Sequence, residues 1–363
     1  MLKKMNLEKQ LGILILAFLA LFPLFASGFR VELMGKFVVF IIFAIALDLV
    51  WGYTGLLSLG HAVFFGLGGY MLALSYILQK GVPMFMTRFG INEIPQFMTP
   101  LLSTPVAFLL GLILPSLLAA VIGYFIFKSK VSGVYFAIIS LALAGLFQLL
   151  INDLQAYTGG FNGLNGLPRF PIFGKPLSVN TYYYLLVVMA LLIYLFARWL
   201  TRSHFGKVVK SIRENENRIR FFSYNPANYK IFIFTISGFL SGLAGMLYVP
   251  INGFISPLDV GIGMSTLLVV WLAIGGRGTL MGAVVGVLII NWLSNLLSER
   301  YPDAWQLFIG TVIVLVVLFL PNGIYGSLEA RLNQKTLSKR ASVSQLERGM
   351  QRGEDFGNKR SYR

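Results

Sequence analysis

The 363-residue sequence contains no cysteine and few charged side chains. Without cysteine, the chain cannot form a disulfide, a zinc–thiolate site or an iron–sulfur cluster, and it has no thiol nucleophile. Charged residues make up only 12% of the chain, against about 25% in a typical soluble protein, whereas hydrophobic residues make up 56%. The two histidines leave little chemistry for a metal site. This composition excludes a water-soluble fold and indicates an integral membrane protein.

Long apolar runs divide the sequence into candidate membrane crossings. A bilayer core about 30 Å thick needs about 20 apolar residues per helix, because hydrocarbon cannot hydrogen-bond a bare backbone. The candidate runs are 11–27, 37–57, 59–78, 105–127, 134–151, 182–200, 231–250, 264–275, 280–297 and 304–320. The second and third are nearly continuous, and the eighth and ninth are short. The sequence therefore predicts an all-α integral membrane protein, a polytopic helical bundle of about ten transmembrane helices, with eight as the alternative.

Lysine and arginine outnumber aspartate and glutamate by 30 to 14, which gives a net charge of +16. On a soluble chain this excess would suggest nucleic acid as a partner, but here the charges lie between the apolar runs. If the N-terminus lies inside, most of the basic residues fall in inside segments, notably 198–230 and 328–363. We therefore expect both termini in the cytoplasm, attraction to anionic membrane lipid, and no nucleic-acid partner.

The polar segments between the runs differ in kind. Residues 1–327 form the predicted transmembrane domain, and the basic tail 328–363 has too little apolar material to bury, so we expect it to be disordered. The external loops, residues 80–104 and 152–181, contain repeated glycine and proline turn signals. An ordinary loop cover is one interpretation of these loops, and a receptor surface for an external binding protein is the other.

Residues 198–230 form the longest polar segment before the tail. Apolar side chains recur there at helical spacing among charged ones, which predicts short amphipathic helices with one apolar stripe. Such helices either lie at the lipid headgroups or dock a cytoplasmic protein, and the composition alone favours neither. The candidate docking residues are Phe205, Val208, Ile212, Arg213, Glu214 and Glu216.

Asp48 is the one acidic residue deep in an apolar run. A charge at mid-membrane costs about 2.5–3.5 kcal/mol on insertion scales, so this carboxylate needs a partner, water or a proton. One hypothesis lines the solute pathway with Asp48, Tyr53, Thr54, Ser58 and His61. The alternative has Asp48 clamp the glycine-containing break at residues 51–55 and has His61 serve as a hydrogen-bonded packing residue.

No catalytic motif is present in the sequence. The Gly-Lys pairs at 35–36, 174–175 and 206–207 all lack the Ser or Thr that follows Lys in a phosphate-binding loop. His61 and His204 lie in separate segments, so they form no metal pair on one helix. We therefore predict no enzyme activity, no catalytic or metal-binding residue, and no cofactor on this chain. A proton-coupled secondary transporter that uses Asp48 and His61 as a relay is a competing hypothesis.

Two motifs carry a family resemblance. The stretch D-L-V-W-G-Y-T-G-L-L-S-L-G-H-A-V-F-F-G at 48–66 resembles the signature of permease subunits in ATP-binding-cassette (ABC) importers for branched-chain amino acids and urea. T-G-G-F-N-G-L-N-G at 158–166 resembles an external-loop motif of the same family, and the resemblance runs from about residue 35 to 326. The second half is most similar to the urea-type subunit, for example in S-I-R-E-N-E at 211–216. It departs from the family pattern at Ser223, where Gly is common.

The resemblance implies the fold and role of an ABC importer permease in the cytoplasmic (inner) membrane. It implies transport of urea by alternating access, with branched-chain amino acids or short amides as the alternative. The implied partners are a second, homologous permease chain in a heterodimer, two cytoplasmic ATPases that bind ATP–Mg, and an extracytoplasmic solute-binding protein. Residues 198–230 then become the coupling region, and we expect 205–216 to dock on an ATPase.

Overall fold

The computed structural model of the protein describes residues 2–131, 133–172, 175–319 and 323–329. The helices are α1 (Leu2–Phe25), α2 (Gly28–Thr54), α3 (His61–Leu78), α4 (Met84–Thr87), α5 (Thr104–Lys128), α6 (Val134–Asp153), α7 (Gln155–Thr158), α8 (Val179–Arg202), α9 (His204–Glu214), α10 (Glu216–Phe221), α11 (Pro226–Asn252), α12 (Ile262–Gly275), α13 (Leu280–Arg300) and α14 (Trp305–Phe319). Three short 3-10 segments lie at Gln96–Leu102, Gly160–Asn162 and Pro257–Asp259. Strands β1 (Leu164–Asn165) and β4 (Phe254–Ile255) pair antiparallel, as do β2 (Pro171–Ile172) and β3 (Lys175–Pro176).

Within the described ranges, eight helices are long and apolar enough to cross a membrane: α1, α2, α3, α5, α6, α8, α11 and α13. α12 and α14 coincide with the eighth and tenth predicted runs but have only 14 and 15 residues. All ten runs are therefore helical, and the all-α polytopic fold class is confirmed. A 14-residue helix spans only about 21 Å, so α12 cannot cross a bilayer core unaided. Apart from its first two residues, the predicted tail 328–363 lies outside the described residues.

Polar contacts show which connections between helices lie at the same end of the bundle. Glu8 of α1 forms ion pairs with Arg198 at 3.2 Å and Arg202 at 3.1 Å, both near the end of α8. We call this the α9 end, because α9 follows α8 directly. At the opposite end, which we call the loop end, β1 pairs with β4, and Lys80 donates to the Gly166 carbonyl at 3.2 Å. The two predicted external loops therefore meet at the same end.

α2 lies at the centre of the bundle. Most of its side chains are buried, and it packs against α8, α11 and α13. α3 approaches α11 closely because neither helix has a side chain at the crossing. A Cβ atom at Gly68 would overlap the backbone of Gly242, and one at Gly245 would overlap the backbone of Phe65. The small residues at this crossing therefore serve packing within the chain.

Two helices begin inside the bundle rather than at its surface. Residues 55–60, which separate α2 from α3, turn back toward the interior. His61, the first residue of α3, contacts Ser237, which lies about 16 Å along α11 from its start. The start of α12 reaches the same depth, because the Ser265 hydroxyl accepts a hydrogen bond from the Ala62 amide at 3.1 Å. Residues 55–60 thus separate the long helix α2 from α3, which begins inside the bundle.

Candidate permeation and coupling site

His61 joins α3 to α2 and α11 through a chain of hydrogen bonds. Its Nδ1 lies 2.8 Å from the Ser58 hydroxyl, and its Nε2 lies 2.6 Å from the Ser237 hydroxyl. Ser237 donates its proton to the Ala46 carbonyl, so its oxygen must accept from Nε2–H. Nδ1 then accepts from Ser58. The neutral imidazole is fully hydrogen-bonded in this arrangement.

The α9 end of α2 is closed by two further side chains. The Thr54 hydroxyl donates to the Val50 carbonyl at 2.7 Å and accepts from the Leu56 amide at 3.3 Å. The Lys210 ammonium of α9 lies 5.0 Å from the centroid of the Tyr53 ring, within cation–π distance. The five predicted pathway residues, Asp48, Tyr53, Thr54, Ser58 and His61, are all buried in this conformation.

Asp48 ties α2 to the turn between α12 and α13. Its Oδ1 accepts a hydrogen bond from the Gly278 amide at 2.6 Å, whereas its buried Oδ2 has no hydrogen-bond partner among the described residues. One turn further along α2, the Gly52 carbonyl accepts from the guanidinium of Arg213 in α9. Glycine is required at position 52, because a Cβ atom there would overlap both Asp48 and Gly278. α9 is thus linked through α2 to the α12–α13 turn.

The apolar face of α9 lies against the chain's own bundle. Val208 and Ile212 are only 7% and 4% exposed, and Phe205 stacks on Tyr229 with 5.3 Å between ring centroids. The exposed face of α9 is charged, and Glu214 lies on it. This changes the docking prediction, because the three apolar candidates are already covered and a partner would meet the charged face. ATPase binding to this region stays a prediction.

Glu216 anchors α10 to α11. Its carboxylate forms ion pairs with Lys230 at 2.6 Å and Arg220 at 2.8 Å. Burial alone would raise the pKa of Glu216, but the hydrogen bonds and charges of Lys230 and Arg220 outweigh burial and lower it. Glu216 is therefore ionised at neutral pH and engaged within the chain rather than free to meet a partner.

The connection that follows α10 exposes aromatic side chains beside a basic cleft. Phe221 and Phe222 are 89% and 68% exposed. The adjacent cleft, of about 400 Å³, is lined in part by Lys128 and Lys130 of the α5–α6 connection and by Ser223. Lys130 and Ser223 have φ angles of 58° and 62°, a left-handed conformation that favours glycine. We call residues 128–130 and 220–226 the basic tip.

Residues 29–317 match the family model described as the permease component of the branched-chain amino acid transport system. The chain belongs to this permease family. It is 24% identical to the LivM permease for high-affinity branched-chain amino acid transport of Escherichia coli K12, over 90% of this chain and 77% of that protein. It is also 24% identical to LivM of Salmonella typhimurium, over 86% of this chain and 74% of that protein. It is 26% identical to the ribose import permease RbsC of Haemophilus influenzae, over 65% of this chain and 71% of that protein. No solved structure matches the chain.

Family membership confirms the coarser part of the resemblance, an ABC importer permease. The finer, urea-type assignment is not supported, because the relatives described above are named for branched-chain amino acids and ribose. The proton-coupled hypothesis loses its motivation as well. Asp48 and His61 bond to different partners, Gly278 on one side and two serines on the other.

The geometry of this permease also brings in residues that the sequence analysis did not select. Asp48 holds residues 276–279 of a distant turn, not the break at 51–55 that the clamp hypothesis names. The second apolar run begins at Phe37, but the helix that contains it, α2, begins at Gly28 and includes Lys36. The four-residue spacing of Glu32, Lys36 and Phe40 was the available signal for a charged face on this helix.

Proposed function

We propose that this chain is a permease subunit of an ABC importer that carries branched-chain amino acids across the cytoplasmic (inner) membrane. The observation that carries the proposal is the linkage of α9 to the membrane core. Arg213 bonds to Gly52, and Asp48 bonds to Gly278, so a force on α9 is transmitted to α2 and to the α12–α13 turn. A permease driven by a separate motor needs such a linkage to convert docking into alternating access.

Branched-chain amino acids now take precedence over urea as the substrate. The LivM relatives align over most of both chains, and the matched family model covers residues 29–317. The similarity to the urea-type subunit rests on short motifs in the second half only. Short amides were the other alternative substrate, and none of the relatives described above is named for them.

The proposed partners are a second, homologous permease in a heterodimer, two cytoplasmic ATPases with ATP–Mg, and an extracytoplasmic solute-binding protein. The absence of a phosphate-binding loop in the sequence supports a separate motor. The concentration of lysine and arginine at the α9 end supports a cytoplasmic position for that end and for both termini. The binding protein would then meet the loop end.

The proposed ATPase surface combines the charged face of α9 with the basic tip. Exposed Phe221 and Phe222 provide the aromatic anchors that protein interfaces favour, and Lys128 and Lys130 line the neighbouring cleft together with Arg220. This surface replaces Phe205, Val208 and Ile212 as the docking element, since those side chains pack on the chain itself. The segment 198–230 keeps its proposed coupling role.

Side-by-side transport assays test the substrate. The importer, reconstituted in liposomes with its cognate subunits, is supplied with labelled leucine and, separately, labelled urea. We expect ATP-dependent accumulation of leucine and no accumulation of urea. The same vesicles should hydrolyse ATP faster when leucine-loaded binding protein is added. Accumulation of urea without leucine would refute the proposed substrate, and uptake that needs no ATPase subunit would refute the transporter class.

A further inference from the structure

Charged side chains of alternating sign follow the partly exposed face of α2 from the loop end. Arg169 forms an ion pair with Glu32. Lys36, one turn further along α2, interacts electrostatically with the carboxylates of Glu32 and Asp259. Asp259 is held in place by Ser256, whose amide and hydroxyl groups lie 2.8 Å and 3.0 Å from its Oδ2. Two cations and two carboxylates therefore lie close together on and beside this face of α2.

Part of this charge cluster lies on α2, a helix that is long and apolar enough to cross a membrane. Lys36 lies about 12 Å along α2 from Gly28, at 1.5 Å per residue. Val260, which follows Asp259, occupies the space where a side chain at Gly66 of α3 would lie, and α3 itself begins inside the bundle. Charged side chains on such a helix are costly to insert into lipid, so we treat them as candidates for a solute or ion site.

Two polar groups of this cluster lack partners within the chain. The half-buried Lys36 ammonium makes no hydrogen bond and no ion pair within 4 Å to any part of the chain that the structure describes. The Tyr70 hydroxyl is buried, lies near Asp259, and has no hydrogen-bond partner among the described residues. A buried polar group without a partner costs about 1–3 kcal/mol, and a charged one costs more. Both groups are therefore poised to bind something that the chain does not supply.

An aromatic surface lies directly beside the charges. Phe40, one turn beyond Lys36, is partly exposed and contacts Tyr248 at 5.6 Å and Trp271 at 4.8 Å between ring centroids. Tyr248 also interacts with Asp259, so the aromatic and charged parts share one surface. A ligand here meets fixed charges of both signs and an apolar wall within a single site.

We propose that Glu32, Lys36, Asp259 and Phe40 form a binding site for a zwitterionic amino acid with an apolar side chain. Lys36 receives the α-carboxylate, Glu32 and Asp259 receive the α-ammonium, and Phe40 contacts the side chain. The inference rests on the proposed function, because it assigns the solute class to the permease itself. A neutral solute such as urea or ribose has no charge to pair with Lys36, and it would leave the Lys36 ammonium without an ion-pair partner.

The test uses the complete importer in liposomes and reports labelled leucine imported per ATP hydrolysed. We expect Lys36→Gln to lower this ratio at least tenfold, about 1.4 kcal/mol, because the carboxylate loses its counter-charge. ATPase stimulation by leucine-loaded binding protein should not change, since docking is untouched. Lys36→Arg should restore most of the import. Arg30→Gln is the matched control, because Arg30 is an exposed cation of the same helix outside the site.

The outcomes separate this site from the proposed function. If the wild-type importer accumulates leucine and Lys36→Gln imports it normally, the site is wrong and the proposed function stands. If Lys36→Gln reduces recovery of the second permease chain, Lys36 is an interface residue. The site is then also wrong, and the proposed function stands. If the wild-type importer accumulates urea and not leucine, the proposed function and the zwitterion site are both wrong.

Discussion

Asp48 and His61 present the same physical problem, a polar side chain removed from water, and the fold deals with it in two ways. His61 is neutral and has a hydrogen-bond partner at each ring nitrogen. Asp48 has the Gly278 amide at one oxygen, and Arg213 and Lys210 of α9 lie close enough to interact with its charge. In this conformation the hydrogen bonds of His61 hold α3 against α11, whereas the carboxylate of Asp48 interacts with charged side chains of α9.

The serine partner of His61 provides the residue-scale prediction. In Ser237→Ala the Nε2–H group loses its acceptor in a buried site, so we expect the protein to lose about 1–3 kcal/mol of unfolding free energy. Denaturant titration of the purified chain in detergent measures the loss. The control is Ser116→Ala, because Ser116 bonds only to the Leu112 carbonyl of its own helix among the residues that the structure describes, and the change should alter stability by about 0.5 kcal/mol or less. Equal losses in both variants would contradict the proposed network.

At the scale of elements, the apolar runs predicted the helices well because a backbone in hydrocarbon must satisfy its own hydrogen bonds. The helix α2 extends beyond its apolar run at the loop end, because Arg30, Glu32 and Lys36 lower the hydropathy of its first turns. The amphipathic pattern of α9 predicted that one face is covered, but it did not predict whether lipid, a partner protein or the chain itself covers that face. Only the fold shows that Val208 and Ile212 pack on the chain itself. Ile212→Asp would therefore destabilise the fold, so a loss of ATPase binding in this variant would not identify a docking surface.

Docking is better tested at the basic tip. Replacing Phe221 and Phe222 together by serine removes two exposed aromatic anchors, and we expect recovery of the ATPases with the permease to fall more than tenfold, about 1.4 kcal/mol or more. Phe161→Ser is the matched control, since Phe161 is 77% exposed but lies in the loop-end segment. Recovery of the second permease chain should be normal in both variants. Wild-type recovery of ATPases with the double variant would rule out the basic tip as their docking surface.

At the scale of the whole molecule, the decisive contacts join segments that are far apart in sequence. Glu8 meets Arg198, Asp48 meets Gly278, and β1 pairs with β4. No local pattern encodes such pairings, so the sequence alone left both a shared pathway and separate structural roles open for Asp48 and His61, and the fold gives the two residues separate partners. Hydropathy and charge bias did predict which loops share an end, because each crossing reverses the direction of the chain.

The absence of cysteine makes the orientation of the whole chain directly measurable. Glu214→Cys places one thiol on the exposed face of α9, and Phe161→Cys places one at the loop end. Because the basic α9 end should face the cytoplasm, we expect a membrane-impermeant maleimide to label Phe161→Cys in cells whose cytoplasmic membrane is intact and to label Glu214→Cys only after lysis. Both cysteines must react in lysed cells, which controls for shielding by partner subunits. Labelling of Glu214→Cys before lysis would invert the topology and remove the basis for ATPase docking at α9.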